Sequence, residues 1–276
     1  YVLNGLENNK LSIFNNNNII PIINNKDEYN LICKNIKKYK KLKFGIHVDT
    51  GLNRLGLSLN ELLNINFNQI KVHILMSHLA SADEGKNNYN IVQNKKFKES
   101  INFKINAKFN SLSNSMGLIL GKNYHYDLVR PGISLYGGHF NTKMRKIIKP
   151  VISLKGKVLQ IKEISKNEFI GYNQTFRTNK KIKVAILGIG YADGISRILS
   201  NKGNVYFKNQ TFKIVGRVSM DTIIIDITKN SKPIKIGTYM ELINNKNGID
   251  KIAKQSNTIC DEILTSISER VKRVYT

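Results

Sequence analysis

A parallel α/β barrel followed by a mainly β domain is the architecture that this sequence predicts. Two patterns carry that reading. In the first half, short apolar runs ending in polar residues alternate with amphipathic helical stretches, as βα units of a parallel barrel do. After about Arg145, strand-like runs follow one another without long helices between them. Their turns, Lys202-Gly203-Asn204 and Lys208-Asn209-Gln210, suit hairpins. The predicted domains are residues 1–145 and 146–276.

The elements follow in order. Lys43 to Asp49 is a strand with a polar tip. Ser58 and Glu61 form a capping box ahead of Leu62 and Leu63, so a helix starts there. Val72 to His78 is the next buried strand, Lys86 to Phe103 a helix, and Phe109 to Ser113 a strand. Leu128 to Tyr136 holds another strand after a turn. The second half contributes strands at Val158 to Ile164, Ile182 to Ile189, Asn204 to Phe207, Thr211 to Val215 and Thr222 to Ile227.

Composition bounds the function. The 276 residues are enough for two domains, and 41% hydrophobic content with a mean hydropathy of −0.29 is ordinary for a globular protein. No apolar run is long enough to span a bilayer, and no secretory signal is visible. Cys33 and Cys260 are far apart, which fits a reducing cytoplasm. His47, His73, His78, His125 and His139 form no His-x-x-x-His pair, so no zinc site is expected. The net charge is +25, from 44 Lys and Arg against 19 Asp and Glu. The lysines are scattered rather than interleaved with aromatic residues on one element. They read as compositional drift, not as a nucleic-acid surface. Such a surface still attracts anions, including a phosphorylated cofactor.

The chemistry sits in seven segments. Four lie where barrel strands should end: HVDTGLNRLG (His47 to Gly56), SHLASADE (Ser77 to Glu84), SNSMG (Ser113 to Gly117) and DLVRPGISLYG (Asp127 to Gly137). Three follow in the second half: Gly171-Tyr172, Gly190 to Gly194, and Val215 to Asp221. Taken singly, each residue has an ordinary reading. His78 alone would be a satisfied core or surface histidine, Arg54 and Arg130 surface arginines, Tyr172 a packing tyrosine, and Met220 core. Ser115 alone would be a turn or cap residue.

Together, and in this order, the seven segments resemble alanine racemase, a family that uses pyridoxal phosphate. The resemblance runs from Tyr1 to Arg270. It implies a (β/α)8 barrel, a mainly β C-terminal domain, and interconversion of L-alanine and D-alanine for peptidoglycan in a bacterial cytoplasm. It implies that Tyr172 takes the α-proton of L-alanine, with His78 and Arg130 as the cationic neighbours a tyrosine needs to act as a base. Arg130 would sit against the pyridine nitrogen, and His78 beside the ring. Asn114, Ser115 and the backbone N–H groups of Gly132 and Ile133 would hold the cofactor phosphate. Arg54 would bind the substrate carboxylate. The Met220 backbone would meet the substrate and Tyr191 would narrow the entrance. Tyr172, Tyr191 and Met220 would act in the partner's site, which implies a homodimer.

Three departures from the family's pattern stand out. No segment resembles its Val-Lys-Ala-x-x-Tyr-Gly strand, which carries the cofactor lysine. The chain therefore reads as the C-terminal part of a longer enzyme, inactive by itself. His47 stands where many members have a carbamylated lysine, and Glu269 where many have a phosphate-binding tyrosine. A racemase of wider amino-acid range, and a non-catalytic truncated paralogue, are the alternatives.

Overall fold

The computed structural model describes residues 1–6, 11–16, 19–38, 42–139 and 142–276. They divide into two compact units, Tyr1–Gly132 and Ile133–Thr276.

The first unit is built on parallel strands β1 (Ile22–Ile23), β2 (Lys43–His47), β3 (Lys71–Met76) and β4 (Phe109–Ser111), in that spatial order. Single parallel bridges extend the row at both sides, Val2 with Pro21 and Asn114 with Arg130. Helices α1 (Leu11–Asn16), α2 (Lys26–Asn35), α3 (Leu59–Leu63) and α4 (Tyr89–Ile101) connect the strands. Gly45 in β2 is a packing glycine, because a Cβ there would lie 2.2 Å from Ile22 and 2.7 Å from Ile74. The core of this sheet is Ile22, Ile74 and Met76, flanked by Phe109 and Leu128.

The capping box forms as the sequence predicts. The Ser58 hydroxyl accepts the Glu61 N–H at 3.2 Å, and the Glu61 carboxylate accepts the Ser58 N–H at 2.8 Å. Helix α4 starts three residues later than predicted, since the Asn87 side chain captures the Tyr89 N–H at 2.9 Å. The strand predicted over Leu128 to Tyr136 does not form. That stretch makes the Arg130 bridge and then a 3-10 turn, Ile133–Tyr136. Pro131 has no N–H for a ladder, and Gly132 weakens a strand.

The second unit carries α5 (Thr142–Arg145) and then β5 (Leu154–Ile164), β6 (Phe169–Ile170), β7 (Phe176–Arg177), β8 (Ile182–Gly188), β9 (Asn204–Phe207), β10 (Gln210–Lys213), β11 (Ile223–Asp226) and β12 (Tyr239–Ile243). Strands β6 and β7 pair with each other, and the other six form an antiparallel sheet in the order β10-β9-β12-β5-β8-β11. An Ile214–Ile225 bridge joins its two edges, so the sheet closes on itself and leaves no long raw edge. The β9–β10 hairpin turns at Lys208 and Asn209, both at positive φ (43° and 70°), which matches the twist of the strands. The sequence reading missed β12 and the closing helices α6 (Ile249–Gln255) and α7 (Cys260–Ser266). Among the described residues, no helix is long and apolar enough to cross a membrane.

Candidate active site

Parallel strands deliver their C-terminal ends to one rim. His47 ends β2, His78 follows β3, and Asn114 and Ser115 follow β4 beside the bridged Arg130. Each was singled out in the sequence, and the fold brings them together.

Arg130 is the hub. Its Nε donates to Ser111 Oγ at 2.9 Å and its Nη2 to the carbonyls of Leu112, at 3.2 Å, and of Ser77. Its Nη1 stands 3.4 Å from His78 Nδ1. Burial lowers its pKa to about 10, which leaves it charged at neutral pH. Among the described residues, no carboxylate pairs with it.

Both ring nitrogens of His78 face donors. Arg130 can only donate. Asn114 uses its Oδ1 to accept the Gly117 N–H at 2.9 Å, so its amide nitrogen is the atom 3.4 Å from His78 Nε2. A neutral imidazole can accept from one of these, a protonated one from neither. Burial, then the charges of Arg130 and Arg54 and the neighbouring His47, hold the His78 pKa down to about 4. His78 is therefore uncharged at neutral pH. The charge at this rim is Arg130's.

His47 is buried under the next loop. Asn24 donates its amide N–H groups to the carbonyls of Leu3 (2.9 Å) and Ile22 (3.3 Å), so its Oδ1 faces His47 Nδ1 at 3.0 Å and fixes the ring proton there. Burial, followed by Arg130, lowers the His47 pKa to about 4, with Asp49 opposing and Arg54 adding. The position is neutral.

Arg54 is exposed, on a loop that is tightly built. The Asp49 carboxylate accepts the N–H groups of Gly51 (2.8 Å) and Asn53 (3.1 Å). The loop returns through Gly56, at φ 114°, where a Cβ would lie 2.8 Å from the Asp49 nitrogen.

The residues fit pyridoxal phosphate. Ser115 is buried, and its hydroxyl accepts the Gly132 N–H at 2.8 Å. A Cβ at Gly132 would meet nothing within 4 Å, so space is open beside that residue. A serine hydroxyl and backbone amides are suited to a phosphate, and an uncompensated guanidinium to a ring nitrogen. Among the described residues, no group of three or more His, Cys, Asp or Glu could hold a metal ion.

The other candidates belong to the second unit, which begins with buried Ile133. Tyr172 is 67% exposed. It follows Gly171, at φ 76°, where a Cβ would lie 2.9 Å from the Arg217 nitrogen. Tyr191 and Met220 are brought together, because the N–H groups of Tyr191 and Ala192 donate to the carbonyls of Ser219 and Met220, both at 3.0 Å. Arg270 holds this lobe, pairing with Asp221 at 2.6 Å and Asp193 at 3.5 Å. Glu269 beside it is exposed.

Asn24 and Gln93 support the first-unit rim, and the sequence reading missed both. Each follows an apolar pair and opens a polar run, Asn24-Asn25-Lys26 and Gln93-Asn94-Lys95, so nothing local marked it.

The family model "Alanine racemase, N-terminal domain" matches residues 1–139, and "Alanine racemase, C-terminal domain" matches residues 151–275. The alanine racemase of Rickettsia bellii is 38% identical over 100% of this chain and 69% of its own length. That of Rickettsia canadensis is 39% identical, over 100% and 78%. Among solved structures, the alanine racemase of Bartonella henselae, with covalently bound pyridoxal phosphate, superposes with a TM-score of 0.90 at 37% identity, covering 99% of this chain and 78% of that one. The Acinetobacter baumannii enzyme does so with a TM-score of 0.86 at 27% identity, over 97% and 77%.

Proposed function

The chain belongs to the alanine racemase family, and from that premise we propose that its residues hold pyridoxal phosphate and interconvert L-alanine and D-alanine. The observation that carries the residue assignment is the contact of charged Arg130 with neutral His78 at the rim of the parallel strands, beside Ser115 and Gly132.

When bound, pyridoxal phosphate draws electrons from the substrate α-carbon and makes its proton removable. The Ser115 hydroxyl and the N–H groups of Gly132 and Ile133 would hold the phosphate, the Gly132 N–H turning to it from Ser115 Oγ, with Asn114 beside them. Arg130 can only donate, so it would direct an N–H at the pyridine nitrogen and keep that nitrogen unprotonated, which would curb electron withdrawal and favour return of the α-proton over side reactions. His78 would lie beside the ring. Arg54 takes the alanine carboxylate in a guanidinium fork.

Tyr172 removes the α-proton of L-alanine onto its phenolate oxygen. A tyrosine that acts as a base needs a cation beside it, and in this reading Arg130 of the partner subunit would supply it. The Met220 backbone meets the substrate, and Tyr191 narrows the way in. Tyr172, Tyr191 and Met220 serve the site of a second copy, so the working form is a homodimer. The D-alanine supplies peptidoglycan in the bacterial cytoplasm.

The test is Tyr172→Phe in the full-length, cofactor-loaded protein. Turnover of L-alanine should fall by about 10²- to 10⁴-fold while cofactor affinity holds. Undiminished turnover would remove Tyr172 from the role of base.

A further inference from the structure

Gln93 lies on α4, which contributes no group to the mechanism above, and its side chain is completely buried. A buried amide is tolerated when its donors and acceptor are used, and this one is. Its Oε1 accepts the Ala80 N–H at 2.8 Å. Its Nε2 donates to the His78 carbonyl at 3.1 Å and to Thr50 Oγ1 at 3.2 Å. The orientation is unambiguous, because a backbone N–H only donates and a carbonyl only accepts.

These partners belong to two loops. Thr50 opens the loop that carries Arg54, while His78 and Ala80 lie on the loop after β3. Thr50 Oγ1 also shares a hydrogen bond of 2.8 Å with Ser77 Oγ, and the Ser77 carbonyl accepts from Arg130. Thr50 and Ser77 are each 1% exposed, so water does not compete for these bonds. One side chain therefore joins the two loops and, through Ser77, reaches the arginine.

We infer that Gln93 is a positioning residue that keeps the Arg54 loop and the His78 loop in register, setting the distance between the grip on the substrate carboxylate and the groups beside the cofactor ring. What the loops bind rests on the racemase reading; the three hydrogen bonds do not.

The test compares Gln93→Met with Phe97→Leu in the full-length protein. Phe97 is another completely buried residue of α4, but it packs on Tyr126, with ring centroids 4.9 Å apart, and bonds to neither loop. Amide hydrogen exchange is followed by mass spectrometry, and alanine KM and kcat are measured with cofactor bound. In Gln93→Met, residues 49–56 and 78–84 should exchange faster together, by about 10-fold, and alanine KM should rise by a similar factor. Phe97→Leu should lower the melting temperature and leave both loops and KM in place. Acceleration in only one loop, in neither, or equally in Phe97→Leu, overturns the inference. Gln93→Glu keeps the acceptor for Ala80 and loses both donors. It takes the place of the Met variant, with the same outcomes, if that one does not fold. Paired acceleration in a wild-type background that turns over no alanine would support the role of Gln93 and refute the racemase reading instead.

Discussion

Nη1 of Arg130 stands 3.4 Å from Nδ1 of His78, a group that can only donate facing a nitrogen that can accept only when it carries no proton. The amide nitrogen of Asn114 faces the other ring nitrogen at the same distance. Burial first, and then the charge of Arg130, keep His78 neutral and leave Arg130 as the buried cation of the rim.

His78 should therefore titrate near pH 4, far below the usual 6.5 of a histidine. Imidazole chemical shifts in an NMR titration would show it. Arg130→Gln should move the midpoint upward, because the nearest positive charge is gone. An unshifted midpoint near 6.5 in the unaltered protein would contradict the neutral state.

Stability should depend on pH in a defined window. His47 and His78 both have native pKa values of about 4 against 6.5 in the unfolded chain. Between those values the unfolded chain binds protons that the native histidines refuse, so stability is full above about pH 6.5 and is lost as pH falls toward 4. The loss is roughly 3 kcal/mol at most for each histidine. Urea unfolding at pH 7 and pH 5 would measure it, and His47→Gln should reduce the difference by about half, leaving the contribution of His78.

Gly190→Ala should disturb the second-unit candidates without touching their side chains. The new methyl would lie 2.3 Å from the Met220 carbonyl oxygen and 2.4 Å from that of Ser219, both backbone atoms that cannot swing aside. A cost of about 1–3 kcal/mol is expected from such overpacking. Thermal unfolding gives the stability loss, and a raised alanine KM would report the displaced Met220.

Arg54→Lys keeps the charge and loses the planar fork. Alanine KM should rise by about 10- to 100-fold, the value of a charge-assisted pair of hydrogen bonds, with cofactor affinity unchanged. Steady-state kinetics alongside a cofactor absorbance titration would separate the two.

Much of the rim was legible in the sequence. Arg54, His78, Asn114, Ser115 and Arg130 stand in short segments whose neighbours mark strand ends, so their placement followed from local pattern. The capping box at Ser58 and the hairpin at Lys208 and Asn209 were legible for the same reason. Leu128 to Tyr136 misled, because its apolar residues outweighed Pro131 and Gly132 in the reading while the backbone obeyed the latter. The helices after Gly248 are seven residues each, too short to show a clear helical period in the sequence.

By itself the sequence determined the family, the cofactor class and the order of the parallel and antiparallel halves, since these depend on periodicity and on motifs a few residues long. Only the tertiary structure decided that His78 is uncharged, that Asn24 sets the tautomer of His47, and that Gln93 ties two loops. Each of these states depends on atoms within hydrogen-bond range that lie far apart along the chain. His78 meets Arg130 across 52 positions, and Thr50 meets Gln93 across 43. Burial then removes the water that would otherwise let every such group keep its ordinary charge and partners.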